Sequence, residues 1–319
     1  MIRKLAAILL AALMGAAPCA ALAEDVTVDE SVLLDGEQAA VAVPLESAPA
    51  LDAVAQANSA AALLSAHSSF ASYALNYSYI DGQTIERESM TALMNNGQGA
   101  TLYETNDALS VVYDGDARYL IYPDGSMGQT ICFDDTISSY YDGRIAAYAL
   151  YSHHAGEALT ACLRQGDAYI LTAEISHGDY ADATGQSFDL EDDTPLVTTL
   201  TVAADTLELR SWQTVARVAE GIEISISSGS IAYDSVSLPD EYFAMADPIA
   251  TRTITIVSQP ASTAASEQTF VIAEGALPYV LAPDGYVVTV MKNEQFVEPD
   301  EGDIPATGDM TLYLIPEAQ

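Results

Sequence analysis

From Phe70 onward the chain places apolar residues at every second position and interrupts the pattern with a turn signal about every 8–12 residues. Successive side chains of a strand point to opposite faces, so this period specifies strands with one packed face. Short turns between them specify a meandering antiparallel sheet. Tyr73, Leu75, Tyr77 and Tyr79 alternate with Ala74, Asn76 and Ser78. Asp81-Gly82 is a two-residue hairpin signal, and residues 84–94 return as the partner strand. Further strands are predicted at 100–105, 109–113, 118–122, 130–133, 158–163 and 169–175. Three more follow in close order, carried by Leu196, Leu200 and Val202, by Leu207, Leu209 and Trp212, and by Ile222, Ile224 and Ile226. Residues 138–154 are ambiguous, since Tyr140, Tyr141, Ile145 and Tyr148 also fit a helical face. Residues 176–195, rich in Gly and Asp, read as a mobile loop.

Ahead of the sheet lie three segments of different chemistry. Met1-Ile2-Arg3-Lys4 is a short positive start, an uncharged apolar run follows, and Ala21-Leu22-Ala23 has the small-x-small form that a signal peptidase accepts. Residues 1–23 are therefore predicted to be a secretion signal cleaved after Ala23, giving a secreted or cell-envelope protein with no stable membrane span. Pro18 interrupts the run as a spanning helix, and it stands before Cys19 where a lipidation signal has Gly or Ala. Residues 24–50 read as an acidic flexible arm. Residues 51–68, with Val54, Leu63 and Leu64 among alanines, are predicted to be one helix that buries a single stripe, Asp52 favouring the positive end of its dipole.

Charge narrows the partners. The chain has 46 acidic and 10 basic residues, and two of the basic ones, Arg3 and Lys4, are in the leader. So negative a surface repels nucleic acid and anionic headgroups. Half of the residues are hydrophobic, which excludes a disordered acidic tail. Cys132 and Cys162 remain after cleavage. Bonded, they would close a loop of about 31 residues, contributing roughly 3–4 kcal/mol; their apolar surroundings fit two buried thiols equally well.

Residue patterns that carry chemistry are few. His153-His154 with Glu157 lacks partners at zinc-site spacing, and His67 and His177 read as isolated surface or cap residues. The acidic stretches 179–193 and 300–303 offer the oxygen ligands that calcium takes, but neither has the helix-loop-helix spacing, and both read as solvated loops. No serine elbow, phosphate-binding loop or metalloprotease helix is present. The sequence predicts no metal, no cofactor and no catalytic residue. Residues 244–250 read as a linker, and 251–319 as a small β domain with strands at 253–257, 269–273, 286–291 and 311–315. A domain that small leans on a neighbour.

The order of elements over residues 51–243, a helix, a strand meander and the late block from Leu196 through Ile226 to Leu238-Pro239, resembles the outer-membrane lipoprotein carrier and sigma-regulator family (LolA/RseB-like). In the tail, Gly285-Tyr286 and Asp309-Met310-Thr311-Leu312-Tyr313 resemble the internalin-type B repeat. The resemblances imply a mainly β (α+β) fold: a curved antiparallel half-barrel with an amino-terminal helix, then a small β-grasp-like domain. They also imply a non-enzymatic carrier or binding protein holding a lipid, an acyl chain or part of a lipoprotein. Leu75, Tyr77, Leu109, Val111, Tyr119, Ile121, Leu209, Trp212, Ile224 and Ile226 would line its hollow. The alternatives are an extracellular structural or adhesion protein with a self-filled core and a cell-surface partner, and a hydrolase using an unrecognised carboxylate pair.

Overall fold

The computed structural model describes residues 39–317 apart from 81–82, 98, 116, 134, 259–264 and 301–302. The leader 1–23, residues 24–38 of the arm and the Asp81-Gly82 turn lie outside the described residues. In chain order the elements are β1 (Val41–Ala42), α1 (Leu51–Ala57), α2 (Ala60–Ala66), β2 (Ser69–Ile80), β3 (Gln83–Asn95), β4 (Ala100–Asn106), β5 (Ser110–Asp114), β6 (Ala117–Ile121) and β7 (Met127–Cys132). Then come α3 (Thr136–Ala147), β8 (Ala158–Gln165), β9 (Ala168–Ser176), α4 (His177–Thr184), β10 (Pro195–Ala203), β11 (Leu209–Ala219), β12 (Ile222–Tyr233) and α5 (Asp240–Ala246). The tail holds β13 (Thr251–Ser258), β14 (Ser266–Ala273), β15 (Ala276–Leu281), β16 (Tyr286–Lys292), β17 (Gln295–Val297) and β18 (Met310–Pro316).

Among the described residues strand occupies 53% and helix 16%, which makes the fold mainly β, as its sequence pattern implies. Thirteen strands form one unclosed, curved sheet in the order β1-β8-β9-β10-β11-β12-β2-β3-β4-β5-β6-β7-β15. Long hairpins supply most of it; β2 and β3 pair from Ser69↔Met94 to Ile80↔Gln83. Register shifts at Leu159/Ala161, Thr201/Val202, Thr214/Val215 and Arg217/Ala219 insert extra residues into this half of the sheet. Such bulges bend strands and increase their twist.

The helices α1, α2 and α3 cover one face of this sheet, here called concave. Leu51 and Val54 of α1 pack on Cys162, Leu171, Leu200 and Leu209. Ala60 and Leu63 of α2, with Ile137 and Tyr141 of α3, pack on Phe70, Leu93, Leu102 and Tyr113. The opposite face is also covered along part of its width: Val112, Tyr119 and Ile121 lie under Tyr242 and Met245 of α5 and against Ala273 and Ala276 of the tail.

Several local expectations change. The helix predicted over 51–68 is two seven-residue helices broken at Asn58-Ser59. Ser59 caps α2, its Oγ accepting from the Ala62 N–H at 3.4 Å. The carboxyl end of the arm is not loose: β1 pairs with β8, and the Val43 N–H donates to the Cys162 carbonyl. The predicted mobile loop 176–195 begins with a helix, α4. Ser176 caps it by accepting from the Asp179 N–H, and Gly185 closes it at φ 70°. His177 is buried, not a surface residue, and its Nε2 accepts from the Phe188 N–H at 3.0 Å. Cys162 is a buried free thiol, so the Cys132–Cys162 disulfide does not form. The two cysteines pack in different clusters, on strands second and twelfth in the sheet order.

The tail folds mainly as a five-stranded sheet, β14-β13-β18-β16-β17, with β13 and β18 parallel at its centre. One of its strands leaves that sheet. β15 runs parallel to β7 and extends the thirteen-stranded sheet at its edge. The sequence pattern misses β15 because Pro278 stands in its middle. An edge strand tolerates proline, since one row of its backbone groups needs no partner. Residues 39–317 fall within one compact unit, and α5 runs into the segment 244–250.

Candidate functional site

Directly paired residues of neighbouring strands share a face, so the register gives the concave surface row by row. One row runs Cys162–Leu171–Leu200–Trp212–Gly229–Ala74–Ser89 across seven strands. Its side chains grow to Trp212 and then drop to Gly229, Ala74 and Ser89. The Trp212 indole lies over Gly229, where a Cβ would meet Trp212 Cη2 at 2.1 Å and the Tyr73 carbonyl oxygen at 2.3 Å. Only glycine admits that overlap. A second row runs Tyr233–Phe70–Leu93–Leu102–Tyr113–Arg118–Thr130–Tyr279 across eight strands. A third, Ile175–Leu196–Ala216–Ile224, lies with Ile226 beneath Tyr180, Phe188 and Leu190.

The ten residues predicted to line one hollow divide between the two faces. Leu209, Trp212, Ile224 and Ile226 belong to clusters on the concave face. Val111 shares it, paired with Glu104 and Leu120. Tyr119 and Ile121 point to the opposite face, under α5 and the tail. Leu75 and Tyr77 also lie on that face, in register with Glu88 and Glu86. Leu109 precedes β5 and, with Ile121, Tyr122 and Pro123, borders a surface depression of about 250 Å³.

The cover over the concave face is tied down at its break. Asn58 is fully buried. Its Nδ2 donates to the carbonyls of Val54 (2.8 Å) and Leu207 (2.9 Å), and its Oδ1 accepts from the Leu209 N–H at 2.8 Å. The Asn58 carbonyl accepts from the Leu150 N–H, and the Ala60 N–H donates to the Tyr148 carbonyl. One side chain thus joins the α1–α2 junction to the turn entering β11, where Leu207 holds φ 62°, a conformation that costs a branched side chain energy. Two histidines tie the ends. His67, at the carboxyl end of α2, puts Nδ1 2.8 Å from Asp234 and Nε2 3.1 Å from Glu208, and stacks on Tyr233. His153 places Nδ1 2.7 Å from Asp52 in the first turn of α1. The sequence carried a signal for the Asn58 junction, since Asn and Ser together inside an alanine run mark a helix boundary.

Among the described residues no Asp or Glu is buried. Among the same residues, no group of three or more His, Cys, Asp or Glu could hold a metal ion, and no helix is long and apolar enough to cross a membrane.

No family model matches the sequence, and no curated protein matches it. Among solved structures, the chain is similar to LprF from Mycobacterium bovis, with 9% identity over 60% of this chain and 98% of that one, at a TM-score of 0.31. It is also similar to a DUF1329 family protein from Desulfovibrio piger ATCC 29098, with 11% identity over 60% of this chain and 95% of that one, at a TM-score of 0.24.

Proposed function

We propose that this chain is a non-enzymatic, exported binding protein that takes an apolar or amphipathic ligand, such as a lipid or acyl chain, against the concave face beneath its helical cover. The observation that carries this reading is the make-up of that cover. Over Cys162, Leu171, Leu200 and Leu209 the only helix among the described residues is the seven-residue α1, ending at the Asn58 junction, while Tyr180 of α4 and Phe188 cover the row from Ile175 to Ile224. A carrier-like arrangement of the LolA/RseB kind has the same parts, an unclosed antiparallel sheet with helices on one face. Export rests on the leader at 1–23.

The energy scale suits an acyl chain. Leu51, Val54 and Leu63 are the large side chains that α1 and α2 bury on the sheet, and exposing each costs about 2 kcal/mol. Lifting all three costs on the order of 6 kcal/mol, which roughly eight newly buried methylenes offset at about 0.8 kcal/mol each. Short ligands fall below that threshold.

The same burial favours a second reading. Leu51, Val54, Ala60 and Leu63 already fill the space above the sheet, as they would in a self-filled extracellular scaffold. One titration separates the two. The mature chain is mixed with a fluorescent long-chain fatty acid while emission is followed from Trp212, the chain's single tryptophan. Saturable uptake with a change in Trp212 emission is expected for the binding protein. A strictly non-saturable response with unchanged Trp212 emission would leave the scaffold.

A further inference from the structure

One residue breaks the apolar character of the row beneath α2 and α3. After Phe70, Leu93, Leu102 and Tyr113, the next position on the same face is Arg118, and beyond it Thr130. Arg118 is half-buried, and its Nε is wholly shielded with no hydrogen-bond partner. Thr130 is 5% exposed, and its Oγ1 has no partner either. Two orphaned polar atoms on adjacent strands of one face are costly, and they call for an explanation.

The charges around Arg118 sharpen the point. In a chain with 46 acidic residues, several cations are paired with carboxylates: Arg210 with Asp167, Arg217 with Glu174 and Glu223, Lys292 with Asp300 and Asp303. Glu104, on the same face, is held by both terminal nitrogens of Arg144. Among the described residues Arg118 has no carboxylate partner. Aromatic side chains stand near it, and its charge acts on Tyr141 and Tyr122. Tyr141 of α3 stacks on Tyr113 at 4.5 Å. The Tyr279 ring lies over Gly128, where a Cβ would come within 2.3 Å of Cε2, and Tyr122 donates to the Tyr279 hydroxyl at 2.7 Å.

We propose that Arg118 and Thr130 form an oxyanion site on the concave face, and that it holds the carboxylate or phosphate head of an amphiphile whose chain lies under the helical cover. The guanidinium presents a fork suited to two anionic oxygens, and the threonine hydroxyl donates a further hydrogen bond. The net negative charge of the protein repels anions at long range, so the site works by contact. The shielding of Arg118 Nε and Thr130 Oγ1 from water strengthens the pair. The assignment of the ligand as an amphiphile rests on the binding-protein reading above; the anion site itself does not.

Calorimetric titration of the mature chain tests it with four probes: oleate, oleyl alcohol, acetate and inorganic phosphate. Oleate is expected to bind at least about tenfold tighter than oleyl alcohol. Arg118→Gln should erase that margin while leaving oleyl alcohol unchanged, and Arg118→Lys should keep part of it. Thr130→Val, similar in shape, should narrow it and serves if Arg118→Gln fails to fold. Acetate and phosphate distinguish which head is preferred. Equal affinity of the wild type for oleate and oleyl alcohol, or an undiminished margin in the variants, overturns the site. If neither long-chain probe binds but phosphate or acetate binds in an Arg118-dependent way, the anion site stands and the carrier reading falls. If no probe binds, both fall.

Discussion

At the scale of the residue, Asn58 shows how one buried polar side chain can fix an arrangement that apolar contacts leave loose. Its three side-chain hydrogen bonds satisfy the carbonyls of Val54 and Leu207 and the buried Leu209 N–H. Asn58→Ala leaves the buried Leu209 N–H without its partner and removes a bond to the Leu207 carbonyl, and is expected to cost about 2–3 kcal/mol. Urea unfolding followed by Trp212 emission measures this; a loss below about 1 kcal/mol would mean the junction is held by α1 and α2 packing alone. Asn58 lies inside a stretch that reads as one helix by its apolar stripe, although an Asn-Ser pair within an alanine run is a boundary signal. Its partners, roughly 150 positions away by chain, were not legible there, because no local pattern encodes which distant backbone group a buried amide meets. Arg118 has the same history: an ordinary basic residue by sequence, it becomes unusual only when pairing places it in an apolar row.

At the scale of the element, the cover is latched to the sheet by titratable groups, His67 and His153 on one side and Asp234, Glu208 and Asp52 on the other. Burial lowers the pKa of His67, but hydrogen bonds and charge attraction from Asp234 and Glu208 outweigh this and raise it above 6.5. The stabilisation is therefore complete below pH 6.5 and is lost as pH rises through the raised value. Asp234 moves the other way, held down to about 2 by hydrogen bonds from His67 and Ser68. Its contribution is complete above 3.8 and is lost as pH falls towards about 2. The latch is strongest between those limits. His153 is raised chiefly by its hydrogen bond to Asp52 and adds an effect of the same sign at α1. Urea midpoints at pH 5.5 and pH 8 should fall further for the wild type than for His67→Gln, with a residue of the effect left from His153. Equal falls in the two proteins would rule out the His67 latch. Elements with strong local signals, such as β2 and β3, were legible in advance. The helix α4 was hidden because an acidic composition masked its Ser176 cap and Gly185 stop.

At the scale of the whole molecule, the tail is built into the large sheet rather than appended to it. β15 covers the edge of β7, and Ala273 and Ala276 pack against Val112, Tyr119 and Ile121. A chain ended after Asp247 would expose that edge and that apolar cluster together, and both promote association. Such a truncation is expected to elute from size exclusion as aggregate. A monomeric peak with the melting behaviour of the full chain would show the tail to be dispensable. The sequence by itself determined that this chain is mainly β, where most of its strands turn, and that an apolar face runs along them, because side-chain alternation and turn chemistry are local properties. Only the tertiary structure decided which face that is. Phe70 and Leu75 sit five residues apart on one strand and face opposite ways, and both faces are covered somewhere along the sheet. Alternation has no handedness: it separates two sides without saying which will meet the helices. That choice is made by pairings between distant strands and by what packs on each side.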